Sequence, residues 1–145
     1  MLTYCGSVQS WECDHIGHLN ITGYMVRFNE ATWVLFASIG LTRGYMAREC
    51  RGMSAVKHEI DYSSELLPGD TCYIESEISD IGTTSLKGRH VLRNDASKQI
   101  SASCRFTAVH IDGAHRAPVP LPAEIRDRVV RAFHVLTEAY PAFAK

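Results

Sequence analysis

An apolar segment spanning residues 21–39, entered through a polar loop, is the feature that most limits how this 145-residue chain can fold. Ile21, Tyr24, Met25, Phe28, Ala31, Thr32, Leu35, Phe36 and Ile39 recur at helical spacing and form a broad apolar face. Val26, Trp33, Val34 and Ala37 add apolar side chains on the other side. A helix apolar nearly all round has to be enclosed, either in a core or at a subunit contact, because its surface is unfavourable in water. Gly40 stands where a C′ glycine ends a helix. Asn20 or Thr22 can cap its start, since a side-chain oxygen there can accept from an orphan N–H.

The material to enclose such a helix follows it. Residues 2–10 read as a first strand, and residues 42–52 as a loop or short helical turn. From Met53 the period changes to two: Val56, His58, Ile60 and Tyr62 alternate with Lys57, Glu59 and Asp61. Three further alternating runs follow, over residues 72–79, 86–93 and 100–108, separated by turns at Pro68-Gly69-Asp70, Asp80-Ile81-Gly82-Thr83 and Arg93-Asn94-Asp95-Ala96-Ser97. Because the connections are short, these four strands are expected to be antiparallel neighbours. Residues 123–137 set Ile125, Val129, Val130, Phe133 and Leu136 against Arg126, Asp127, Arg128 and Arg131, an amphipathic C-terminal helix. One sheet wrapped round one helix is the economical way to bury that helix. The expectation is a single α+β domain over residues 1–145.

Composition closes off several functions. A net charge of -1 supplies no basic face for nucleic acid. The start of the chain has no basic segment followed by an apolar run, and no apolar run approaches the ~18 residues of a membrane span. The five cysteines (Cys5, Cys13, Cys50, Cys72 and Cys104) are odd in number and widely spaced, which reads as reduced thiols in a cytoplasmic protein, most of them small core residues.

Chemistry concentrates in residues 11–20. Asp14, His15, His18 and Asn20, with the hinge residue Gly17, crowd in front of a helix N-terminus, whose open N–H groups and dipole can hold an anion or polarise a carbonyl. Asp14, His15 and His18 could in principle supply three metal ligands, but such close loop spacing strains the geometry, and no metal is expected. Periodicity alone singles out His58, which falls between Val56 and Ile60 on the apolar face of its strand and is expected to point toward the helix. Trp11, Tyr24, Trp33 and Tyr62 could line a pocket or fill core.

Asp14-x-x-Gly17-His18-x-Asn20-x-x-x-Tyr24, followed by Phe28-x-Glu30-Ala31 and Ile39-Gly40-Leu41, resembles the signature of the hot-dog thioesterases, in particular the 4-hydroxybenzoyl-CoA thioesterase branch. Tyr62-x(5)-Pro68-Gly69-Asp70 is similar to a segment of that branch in which a long strand ends in a Gly-Asp turn. The match in element order covers residues 2–112. The resemblance implies a hot-dog fold, a five-stranded antiparallel sheet wrapped around a long central helix, here with a peripheral C-terminal helix. It implies a homodimer with sheets joined edge to edge, sometimes paired into a tetramer. It further implies hydrolysis of an acyl-CoA thioester at sites between subunits, with no cofactor other than the CoA of the substrate.

Residue by residue, the resemblance makes Asp14 the catalytic carboxylate, as nucleophile or general base. Gly17 and the helix N-terminus become the oxyanion site, and His18 and Asn20 fill positions of the same motif. His58, Tyr24 and Glu30 become substrate-pocket candidates, with Glu30 secondary to Asp14 or held in a buried ion pair with an arginine. Thr83, Thr84, Ser85, Lys87 and Arg89 fall where this branch contacts the nucleotide of CoA. The Gly17-His18-x-Asn20 loop and Glu30-Ala31-Thr32 are also similar to thioesterases of carnitine breakdown acting on betainyl-CoA, where an aromatic cage would suit the quaternary ammonium. The rivals are a hot-dog acyl-thioester dehydratase and a non-catalytic acyl-CoA-binding domain.

Overall fold

The computed structural model describes residues 1–139, with side chains through residue 132. In chain order the elements are β1 (Leu2–Ser7), a 3-10 turn (Ser10–Glu12), α1 (Ile21–Ser38), α2 (Arg43–Glu49), β2 (Arg51–Tyr62), β3 (Thr71–Ile81), β4 (Ser85–Asn94), β5 (Ile100–Asp112) and α3 (Ala123–Ala139). The long helix begins and ends where the residue pattern places it. Asn20 caps it, its side-chain oxygen accepting from the N–H and the hydroxyl of Thr22, each at 3.0 Å. At the other end Gly40 donates to Ala37 O at 3.0 Å and Leu41 to Phe36 O at 2.9 Å, the paired bonds of a Schellman closure. Gly40 has φ +94°, a conformation that selects glycine, and a Cβ there would meet the far end of the Arg128 side chain, which would have to move aside.

The five strands form one antiparallel sheet in the order β1-β3-β4-β5-β2. The α+β class is as expected, but the four-strand meander is corrected. β3, β4 and β5 are successive neighbours, whereas β2 lies at the sheet edge beside β5 and β3 pairs with β1. The reason is the connection over residues 63–70, which is a tethered crossing and not a hairpin. Ser63 and Ser64 donate to Ser101 O at 2.8 and 3.2 Å, Leu19 donates to Leu66 O at 2.8 Å, and Val8 donates to Asp70 O at 2.8 Å. Leu66 is fully buried, which pins the crossing to the core.

The chain divides into two compact units. The first comprises Met1–Leu35, Glu59–Ser76 and Arg89–Arg105. Its core packs Leu19, Tyr24, Phe28 and Ala31 with Leu66, Cys72, Ile74, Leu92 and Cys104. Within it His90 is held from both sides, by Ser76 Oγ at 2.6 Å and Thr32 Oγ1 at 2.9 Å, and its ring stacks on Phe28. The second unit comprises Phe36–His58, Glu77–Gly88 and Phe106–Lys145. It buries Ile39, Leu41, Ile78, Leu86, Leu121 and Ile125, with Phe36 edge-on to Phe106 at 6.2 Å.

Of the two expected ways to enclose the helix, the core of one chain does not suffice, and the expectation for the cysteines is revised. The helix is not enclosed all round in a single chain: Val26, Trp33 and Val34 are about half exposed, at 52%, 46% and 45%. Of the cysteines, Cys72 and Cys104 are buried, but Cys5 and Cys50 are exposed. Burial pushes the Cys104 thiol up to about 11. The Phe133 and Leu136 side chains, assigned to the apolar face of α3, lie outside the described residues. No helix of the described residues is long and apolar enough to cross a membrane.

The Gly40 closure carries a stability prediction. Gly40→Ala adds a left-handed penalty of about 1–2 kcal/mol, together with displacement of Arg128. Urea unfolding is expected to show a lower midpoint with an unchanged slope.

Candidate active site

The polar loop is closed at its base by main-chain bonds. Asn20 donates to Glu12 O at 2.9 Å and Asp14 to His18 O at 3.1 Å, around a bridge between Cys13 and Leu19. At its tip Gly17 has φ +94°, and a Cβ at this position would meet nothing within 4 Å, so the turn selects glycine for conformation and not for space. The Gly17 N–H is used within this turn, donating to Asp14 O at 3.0 Å. Asp14 Oδ1 accepts the Ile16 N–H at 2.9 Å. Asp14 Oδ2 has no partner among the described residues.

Most backbone donors at the start of α1 are occupied. Thr22 donates to Asn20 Oδ1, and Gly23 and Tyr24 donate to Asn20 O at 2.9 and 3.4 Å. The Ile21 N–H has no acceptor among the described residues. It is therefore the open donor at the positive end of an 18-residue helix. The expected oxyanion region is narrowed accordingly, since the Gly17 and Thr22 N–H groups are already engaged.

Asp14, His18, Leu19, Asn20, Ile21 and Tyr24 line one cavity of about 430 Å³ together with Tyr62, Ser63, Ser64 and Glu65. Tyr24 and Tyr62 meet edge to face, with ring centroids 5.1 Å apart at 81°. Burial raises the Tyr24 hydroxyl above its ordinary pKa, opposed by a hydrogen bond to Ser101. His18 Nδ1 lies 3.3 Å from Leu19 O, which can only accept, so Nδ1 carries the proton. His18 Nε2 then stands 3.9 Å from Glu65 Oε1. Ser63, Ser64 and Glu65 come from the crossing after β2, which in the residue pattern is only a connection. No group of three metal-ligating side chains forms among the described residues.

Other candidates are placed elsewhere. His58 shares a strand face with Ile60 by alternation but is exposed, correcting the expectation that it points into the core, and it is not among the cavity-lining residues. The reason is that β2 is an edge strand, exposed over residues 55–59. Glu30 is exposed on α1, not in a buried ion pair. Trp11 is 80% exposed and lines no part of the cavity. Thr83, Thr84 and Ser85 use their carbonyls to accept from Leu121, His110 and Gly82, at 2.9, 2.7 and 2.8 Å. Lys87 pairs with Asp80 at 2.9 Å on the surface, and Arg89 is half-buried.

A model of the thioesterase-like superfamily matches residues 8–129. The chain belongs to that superfamily. No curated protein matches it in sequence. Among solved structures it is similar to a Staphylococcus aureus protein in complex with CoA, with a TM-score of 0.86 and 18% identity, covering 92% of this chain and 85% of that one. A putative thioesterase from Pseudomonas putida KT2440 gives a TM-score of 0.82 at 22% identity, covering 96% of this chain and 88% of that one. A 1,4-dihydroxy-2-naphthoyl-CoA thioesterase from Synechocystis gives 0.79 at 19% identity, covering 92% and 98%. The fold of this superfamily member is the hot-dog fold.

The ion pair beneath the loop of this thioesterase-like chain was not anticipated from the residue pattern. Arg27 is 2% exposed, and it donates from Nη1 and Nη2 to the two Glu12 carboxylate oxygens at 2.9 and 2.8 Å. The signal was available: a lone cation at helical spacing inside the apolar stripe of Tyr24, Phe28 and Ala31 has to find an anion. Removing one partner of such a pair typically costs about 3–5 kcal/mol.

The pair makes stability pH-dependent. Burial is the largest single influence on Arg27 and works against its charge, but the Glu12 hydrogen bonds together with Tyr4, Cys72 and the Glu12 charge outweigh it, and its pKa is raised. Those hydrogen bonds hold the Glu12 carboxyl below its ordinary value of 4.5, while burial opposes them. A carboxylate with a depressed folded pKa contributes stability above its unfolded pKa and loses it as pH falls through the folded one. Urea unfolding across a pH series is expected to show acid destabilisation setting in below pH 4.5. In the Glu12→Gln variant that acid limb is shallower.

Proposed function

We propose that the protein hydrolyses an acyl-CoA thioester to the free acid and CoA, with Asp14 as nucleophile or as general base. The observation that carries this is the juxtaposition in one cavity of Asp14, with one carboxylate oxygen unengaged, and Ile21, the first residue of α1, with an open N–H. In the general-base form Asp14 takes a proton as water oxygen bonds to the thioester carbon. The Ile21 N–H receives the charge developing on the carbonyl oxygen, where one such donor is typically worth ~10²–10³ in rate. The carbon–sulfur bond then breaks, and the thiolate takes up the proton as CoA-SH. His18 and Asn20 shape the loop and the helix start around that centre. Superfamily membership and the CoA bound to the S. aureus neighbour support the substrate class.

A thiol-release assay with Asp14→Asn tests this reading. CoA release is expected to fall ~100-fold or more, with the unfolding midpoint retained. Unchanged release sinks the assignment. A dehydratase would hydrate a double bond and leave the thioester intact, and a binding domain would bind without release.

The cavity lining also bears on the acyl group. Among the described residues it carries Asp14 and Glu65 and no lysine or arginine. Acyl groups bearing a carboxylate are therefore disfavoured, whereas neutral and cationic ones are accepted, and Tyr24 and Tyr62 offer ring faces to a trimethylammonium group. A panel of acyl-CoAs should put succinyl-CoA last, and a fast succinyl-CoA would overturn this charge selection.

The oligomer is proposed from the exposed edge. β2 pairs antiparallel with β2 of a second copy about a two-fold axis at His58, placing Lys57 of each chain opposite Glu59 of the partner subunit. Opposite residues must share a sheet face, so the axis passes through a residue, and an axis at Lys57 would oppose two lysines. Sedimentation should show Lys57→Glu weakening the dimer and the Lys57→Glu/Glu59→Lys exchange restoring it.

A further inference from the structure

We propose that Arg27 is a positioning residue for Asp14, acting through Glu12 from outside the cavity. This rests on the reading of Asp14 as the reacting carboxylate. Arg27 is not among the cavity-lining residues. Its guanidinium instead joins three elements at one point. Nη2 donates to Ser7 O at the end of β1 at 3.0 Å, and Nη1 donates to Gly23 O in the first turn of α1 at 3.1 Å. Both nitrogens donate to the Glu12 carboxylate, and the cation sits 5.8 Å from the centre of the Tyr4 ring.

Glu12 is where this clamp meets the loop. Its carboxylate also accepts the Gln9 N–H at 2.8 Å, and its carbonyl accepts the Asn20 N–H at 2.9 Å. Glu12 and Asn20 are thus the two feet of the loop that carries Asp14. Fixing Glu12 against Gly23 fixes both feet against the helix whose first N–H is the open donor. The separation between the Asp14 carboxylate and that donor is then set by one planar fork, which a lysine cannot reproduce. A displacement of about 1 Å at a reacting group can cost ~100-fold in rate.

The clamp is not built for stability alone. Arg27 Nε is buried with no partner among the described residues, so the arrangement retains an unsatisfied donor. A buried ion pair can often be replaced by apolar residues of similar volume without loss of stability. That separates positioning from simple structural support.

The decisive variant removes both charges at once, Glu12→Gln/Arg27→Met. Urea unfolding is expected near the wild-type midpoint, while kcat for CoA release falls at least about tenfold and KM stays within about twofold. Amide exchange at Asp14 and Asn20 is expected to rise at least about tenfold relative to Leu92 in β4. If the double variant does not fold, Arg27→Lys gives the same two readouts with a cation retained. Wild-type kcat in a folded variant, or unchanged exchange at Asp14 and Asn20, overturns the proposal. Should the wild-type chain release no thiol from any acyl-CoA, the reading of Asp14 fails, and the exchange measurement still decides whether Arg27 holds the loop.

Discussion

A guanidinium buried to 2% exposure has to be met by acceptors from several directions, and that requirement organises the start of this molecule. Arg27 draws the end of β1, the 3-10 turn and the first turn of α1 to one point through Ser7 O, Glu12 and Gly23 O. A charge in a low-dielectric interior is unfavourable unless each of these contacts is made. The polar loop that follows Glu12 inherits its position from that agreement, and Asp14 is held near the helix start without making a strong bond of its own to the body of the protein.

The second constraint is the crossing after β2. Its backbone is tied to Ser101 in β5, to Leu19 at the end of the loop and to Val8 after β1, with Leu66 buried beneath it. The same crossing that displaces β2 to the sheet edge also brings Tyr62, Ser63, Ser64 and Glu65 to the cavity opposite Asp14 and His18. Topology and site thus have one cause. An edge strand such as β2 is a place where sheets commonly pair with another strand or are protected from doing so.

Much of this was legible in the residues. The helix start at Asn20 and its glycine stop at Gly40 follow from local hydrogen-bonding chemistry, and both ends of α1 fall within a residue of the pattern. The alternating runs mark β2 to β5 because side-chain period is a property of the strand itself. What failed was non-local. Alternation puts His58 on the same strand face as Ile60, but it cannot say that β2 is an edge strand and so leaves that face open. The Gly17 N–H is a local case: it donates to Asp14 O inside its own turn, whereas the Ile21 N–H has no acceptor among the described residues. Glu65 was invisible because its role in the cavity depends on where a connecting segment is laid down.

By itself the sequence determined the period, the punctuation and the cluster of reactive groups: a capped apolar helix, four alternating strands, and Asp14, His18 and Asn20 within one short loop. These are local, because capping, φ preference and amphipathic period act over a few residues. Tertiary structure alone decided the strand order, the residues facing Asp14 across the cavity, and the anion that answers Arg27. Those choices rest on burial and charge compensation between segments far apart in the chain, and they are settled only when the competing ways of satisfying every buried group are compared at once.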